Sequence, residues 1–127
     1  MRKSAISTLT LAGVMALSLG GITLTPMNAM AASAAEEGMK IATDRKKGNC
    51  MACHKIAGLK GRAAESHGNI GPALVNMKAR YPDKNKLRDE IFNAQARNPN
   101  TIMPPFGKNK ILTEDELNKV VEFVYTL

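Results

Sequence analysis

The run Cys50-Met51-Ala52-Cys53-His54 gathers both cysteines of the chain and one of its two histidines into five residues. Two thiols one helical turn apart, followed at once by an imidazole, make the attachment pattern of a c-type haem. The spacing has a chemical reason. Both thiols can add to the vinyl groups along one side of a porphyrin, and the adjacent ring then lies under the iron as its proximal ligand. Three other readings use some of the same residues. A thioredoxin-like redox pair shares the two-residue spacing but follows a strand, and no strand run precedes Cys50. A plain disulfide in an exported protein has no use for the histidine. A zinc site needs two more ligands, and only His67 remains. The pattern therefore predicts one haem, held through Cys50 and Cys53, with His54 on its iron.

Upstream, residues 1–31 stand apart. Arg2 and Lys3 give a positive start, and no charged residue follows from Ser4 through Ala35. An apolar run through Ile6, Leu9, Leu11, Val14, Met15, Leu17, Leu19 and Ile22 is broken by Gly20, Gly21 and Pro26. Ala29-Met30-Ala31 and Ala32-Ser33-Ala34 then offer small-residue cleavage patterns. This is the layout of a secretory signal peptide, and cleavage is expected after Ala31. The rival reading is an uncleaved membrane anchor, because the uncharged stretch is long enough to span a bilayer; the glycine pair and the proline shorten it. The expected division is a signal peptide at 1–31 and a single haem domain at 32–127, exported and without a membrane span after cleavage.

The 127-residue chain is 44% hydrophobic and 23% charged, which suits a small packed globule and excludes a multidomain enzyme or a disordered tail. Without residues 1–31, 96 residues remain with sixteen basic and eleven acidic side chains, a formal charge of +5. A domain of that size is marginal on its own core. Two cysteines make no disulfide framework, and two Tyr, three Phe and no Trp supply little bulk. A covalently held macrocycle would fill the centre that these residues cannot.

The elements read as all-α. Residues 36–47 predict a short helix, acidic at its start and basic at its end as the helix dipole favours, with Gly48 as its C-cap. Residues 55–69 carry Gly58, Gly61 and Gly68 and predict a loop over one haem edge. A short helix is expected after Pro72, from Ala73 to Arg80, stopped before Pro82. Asp83 reads as the N-cap of a helix to about Arg97, with Leu87, Ile91 and Ala94 on one face. Residues 100–111 contain Pro104-Pro105 and predict irregular backbone. Thr113 with Glu116 forms a capping box for a last helix whose stripe is Leu117, Val120, Val121 and Val124, expected to pack on the first.

The sixth iron ligand has five candidates: Met39, Met51, Met77, Met103 and His67. Met51 lies within the attachment turn and Met39 on the helix leading to it, both poorly placed for the far face. Met77, one turn after Leu74, reads as a core residue. His67, in a glycine-rich polar loop, reads as a solvated surface histidine. Met103 sits 49 residues after His54 in a proline-stiffened loop, so it combines reach with a low ordering cost. His54 with Met103 implies a six-coordinate, low-spin iron of raised potential, suited to moving electrons. Pro72, about twenty residues after His54, offers a carbonyl for the other ring nitrogen.

Asp44-Arg45, Lys47-Gly48-Asn49-Cys50, Cys53-His54, Gly68-Asn69-Ile70-Gly71-Pro72 and Thr101-Ile102-Met103-Pro104-Pro105-Phe106-Gly107 together resemble the SoxX family, the monohaem subunits of the SoxAX cytochromes of bacterial sulfur oxidation. Leu112-Thr113 with Glu116, Val120-Val121 and Thr126-Leu127 fit as well, so the resemblance covers nearly all of residues 32–127. The attachment and Met-Pro elements are shared with class I cytochromes c at large; the other segments are more particular. The resemblance implies a class I cytochrome c fold around one covalent haem c. It also implies a SoxA partner, itself a c-type cytochrome, and a periplasmic location. The pair would join thiosulfate to a cysteine of a sulfur-carrier protein with release of two electrons, as an L-cysteine S-thiosulfotransferase. In that family the sulfur chemistry belongs to the SoxA haem, whose iron carries a cysteine-derived ligand. This chain has no third cysteine, so its implied part is to accept electrons, without catalysis alone.

The competing reading is a free cytochrome c shuttle serving an oxidase or another redox enzyme; a third, a haem sensor, needs an open or labile sixth site. A basic rim of Lys55, Lys60, Arg62 and Lys108 around the haem edge would serve an acidic protein partner in either of the first two. It is not read as a nucleic-acid surface. The downstream electron acceptor is left open.

Overall fold

The last helix organises the rest. The computed structural model describes residues 27–60 and 67–127. Its terminal helix forms because Thr113 Oγ1 accepts from the Glu116 amide at 3.2 Å while Glu116 Oε2 accepts from the Thr113 amide at 3.0 Å, satisfying donors that an isolated helix start leaves open. With three acidic residues in its first turn, the helix also places negative charge at the positive end of its dipole. The expected stripe, Leu117, Val120, Val121 and Val124, is buried, and Phe123 joins it.

The described elements are α1 (Met27–Thr43), α2 (Met77–Arg80), α3 (Lys84–Asn93) and α4 (Glu114–Tyr125), with 3-10 turns at Cys50–Ala52 and Ala94–Ala96. The all-α expectation holds for the described residues, whose only extended pairing is an isolated parallel bridge between Ile56 and Leu74. As expected, α1 packs on α4. The contact is close because Gly38 stands at the crossing: a Cβ there would lie 1.9 Å from the Lys119 carbonyl oxygen. Lys119 also bridges Glu37 at 2.7 Å, joining the same two helices at the surface.

Four boundaries differ from the sequence reading. The first helix starts at Met27 rather than residue 36, because the alanine-rich stretch before Glu36 favours helix; Glu36 and Glu37 therefore lie within it. It ends at Thr43 rather than 47. Thr43 Oγ1 turns back to the Met39 carbonyl, and Asp44 Oδ1 accepts from the Lys46 amide, so local side-chain bonds replace the helix ladder. Gly48 then donates to the Ile41 carbonyl at 3.2 Å, closing the turn. The helix expected from Ala73 shrinks to α2, since Leu74 is drawn into the bridge by its amide bond to Lys55 O at 2.8 Å. Asn76, at φ 53°, then turns the chain into α2.

The start of α3 agrees, but its end does not: the helix stops at Asn93, four residues short of the expected Arg97, where Asn93 leaves helical geometry (φ −156°). Asp83 caps α3 through Oδ1 and the Asn85 amide at 2.9 Å, and the helix gives way to the 3-10 turn before Asn98-Pro99. Leu87, Ile91 and Ala94 are buried. Residues 100–111 contain turns and no regular element. In the loop expected over 55–69, residues 61–66 lie outside the described residues, as do residues 1–26 of the expected signal peptide.

Candidate haem site

The attachment run begins at Asn49, whose left-handed backbone (φ 45°) starts the 3-10 turn. The amides of Cys53 and His54 both donate to the Cys50 carbonyl, at 3.1 and 2.9 Å, so one turn sets the relative positions of both thiols and the imidazole. Neither cysteine is in a disulfide. Loss of hydration on burial pushes the Cys50 thiol up to about 11, reinforced by Cys53 and opposed by a backbone hydrogen bond. The attacking cysteine of a redox pair has the opposite property, a lowered pKa that favours thiolate. With no strand before Cys50 among the described residues, the thioredoxin-like reading lacks the context it requires.

His54 is fixed by the segment 68–72. The Gly68 amide donates to Met51 O at 2.9 Å, and the Gly71 amide to Cys53 O at 2.8 Å. Glycine is needed at both places. A Cβ on Gly68 would lie 1.9 Å from the Ala52 carbonyl oxygen, and one on Gly71 2.4 Å from His54 Cε1. The backbone thus lies flat against the imidazole, and the Pro72 carbonyl oxygen is 2.7 Å from His54 Nδ1. A carbonyl only accepts, so the ring proton is on Nδ1 and the Nε2 lone pair is free.

The remaining candidates sort by burial. Met77 is 2% exposed in the core, and the Arg80 guanidinium donates to its sulfur at 3.3 Å, in keeping with a core role. Met39 is 36% exposed on α1. Met51 packs against the core from the attachment turn. His67 departs from the sequence reading: it is half-buried, and its Nδ1 is shielded from solvent with no partner among the described residues. Its chain neighbour Gly68 is seated against Ala52 in the attachment turn. Met103 is half-buried against the core edge, and its amide donates to Thr101 Oγ1 at 3.2 Å.

These residues fit a haem. A turn presents two thiols and an imidazole whose free nitrogen is defined, and a separate irregular loop presents a thioether. Beside these two segments stand Ile70 and Ile102, exposed by 63% and 74%, apolar side chains of the kind that a macrocycle covers. Sequence reasoning named the two thiols, His54, Pro72 and Met103 as candidates; it missed Gly68 and Gly71 as seats. The spacing of Gly68 and Gly71 was visible, but the atoms they abut belong to Ala52 and His54, and only the fold brings those near.

A helical domain with this arrangement is a small c-type cytochrome. The sequence model of the cytochrome c family matches residues 35–127, and the chain belongs to that family. No curated protein matches the chain. Membership makes this an electron-transfer domain with covalent haem c. Among the described residues no helix is long and apolar enough to cross a membrane.

Proposed function

We propose that the chain is the electron-accepting subunit of a periplasmic SoxAX-type cytochrome, delivered by a signal peptide cleaved after Ala31. Its haem would be held by Cys50 and Cys53, with His54 Nε2 and the Met103 sulfur as axial ligands. The observation that carries the electron-transfer part is the Nδ1 bond of His54 to Pro72. It leaves one defined nitrogen for the iron and fixes the ring, so the site changes little between oxidation states. Bound haem supplies a one-electron couple, and histidine with methionine sets it at a raised potential. The chain's own contribution is to hold both ligands still and to keep water from the iron.

The sulfur-oxidation part is supported by the resemblance of Lys47-Gly48-Asn49-Cys50, Asn69-Ile70-Gly71-Pro72 and Met103-Pro104-Pro105-Phe106-Gly107 to SoxX segments. In that role a SoxA-like partner carries the coupling of thiosulfate to the carrier cysteine, and this chain removes the electrons. Lys55, Lys60 and Lys108 are exposed and available to an acidic partner; Arg62 lies outside the described residues. Affinity capture of the native protein from periplasmic extract, followed by mass spectrometry, tests the assignment. A stoichiometric second c-type cytochrome and thiosulfate-dependent haem reduction are expected. A lone monomer that reduces an oxidase without a companion would replace the assignment with a free shuttle.

A further inference from the structure

We infer that Phe92 and Gly107 form a clasp that positions Met103, and that the tightness of this clasp keeps the sixth coordination position closed to outside ligands. The inference rests on Met103 being the distal ligand.

The loop around Met103 does little to hold itself. Among the described residues, the Met103 amide makes only the local bond to Thr101 Oγ1, Ile102 is 74% exposed, and Pro104 and Pro105 have no amide to donate. Such a segment must be pinned from outside. Its first backbone bonds to a helix after Met103, among the described residues, are at Gly107 and Lys108, whose amides both donate to the Phe92 carbonyl at 3.2 and 3.1 Å. Phe92 is available because it lies at the C-terminal end of α3, where carbonyls lack partners within the helix.

The ring of Phe92 completes the clasp. A Cβ on Gly107 would lie 2.0 Å from its Cδ2 and 2.6 Å from Cε2, so the ring is laid directly across the glycine. The ring is held in turn by Arg88, with its guanidinium carbon 5.7 Å from the ring centroid. Arg88 donates to Asn118 Oδ1 at 3.1 Å and bonds Glu114, which ties it to α4. Beyond the clasp the loop folds on itself, with the Ile111 and Leu112 amides on the Phe106 carbonyl. The five residues from Met103 to Gly107, with Pro105 and Phe106 buried between the ends, are thus a short, stiff tether, and play at Gly107 is passed to the thioether.

An added ligand reaches the iron only when the methionine is away, so its apparent affinity scales with the open fraction. Titration of the ferric holoprotein with imidazole, followed by the Soret shift, reads that fraction. Gly107→Ala should bind imidazole at least about tenfold more tightly than wild type. Phe92→Ala, which removes the ring without adding an atom, should move in the same direction and serves if Gly107→Ala does not accumulate. Val121→Ala, a core change in α4, should lower the melting temperature without altering the affinity. Met103→Ala gives the fully open value. If Met103→Ala binds imidazole no better than wild type, the ligand assignment fails. If it binds tightly while Gly107→Ala and Phe92→Ala match wild type, the clasp is wrong. Equal gains in Val121→Ala would also overturn it, because loss of overall stability would then suffice.

Discussion

His54 Nδ1 lies 2.7 Å from the Pro72 carbonyl oxygen, and the residue before that proline has no side chain to keep the backbone away from the ring. The two facts depend on each other. The carbonyl reaches Nδ1 only because Gly71 lies against the imidazole, and Gly71 is held there by its amide bond to Cys53 O. One stretch of backbone thus both fixes the tautomer and sets the ring plane.

Gly71→Ala is therefore expected to disturb the histidine rather than merely the turn. Its methyl would meet three ring atoms within 2.8 Å, an overpacking of a kind that costs about 1–3 kcal/mol. The ring must rotate or the segment must retreat, and either weakens the bond to Pro72. Thermal unfolding should show the loss of stability, and the reduction potential should shift with it. A variant with wild-type melting and potential would mean that the seat has slack.

The covalent bonds have a direct test. Wild-type protein should keep its haem in acidified acetone, whereas Cys50→Ala and Cys53→Ala together should release it or leave the chain without it. Met103→Ala should lose the near-infrared charge-transfer band that a ferric haem gives with a thioether ligand. If the band survives there and vanishes in Met77→Ala, the distal ligand is Met77.

How far the sequence could be read depends on the range of the interactions. The attachment run, the Asp83 cap and the Thr113–Glu116 capping box are local, involve residues a few positions apart, and were legible as they stand. The start of α1 was not, because residues up to Ala31 read as a leader and the helix was expected only from Glu36, while the alanines from Ala29 to Ala35 favour helix. The segment after Pro72 was misread for a different reason: Leu74 is claimed by Lys55 and Ile56, a pairing that no local pattern announces. Likewise Gly38, Gly71 and Gly107 owe their roles to Lys119, His54 and Phe92, each remote in sequence. His67 appeared solvated because its loop is polar, yet the fold half-buries it.

Gly38→Ala tests the helix crossing. Its methyl would overlap the backbone carbonyl of Lys119 rather than the end of a flexible side chain, so α1 and α4 would have to part. Alanine raises helix propensity by about 1 kcal/mol over glycine, and the crossing should outweigh that gain. A net loss of about 2 kcal/mol or more is expected, a fall of roughly 8 °C or more in melting temperature for a domain of this size. A neutral or stabilising result would show that the two helices can separate at little cost.

The last prediction concerns acid. Glu116 accepts from the Thr113 amide and pairs with Lys47, which follows α1 just before the attachment run. The hydrogen bond from Lys47, and then that from the Thr113 backbone, hold its carboxyl below the usual range. Because the folded pKa is depressed, the stabilisation is present above the unfolded value of about 4.3 and is lost as pH falls through the folded value. Glu116→Gln should therefore cost about 0.5–1 kcal/mol at neutral pH, and the gap from wild type should narrow as the solution is acidified below about 4. Thr113→Ala should cost about 1 kcal/mol by removing the other half of the box. Added salt should weaken the Lys47 contribution while leaving the Thr113 cap largely intact. Urea midpoints at several pH values measure all of this, and a Glu116→Gln deficit that stays constant into acid would show that the carboxylate charge has no part in joining the attachment run to α4.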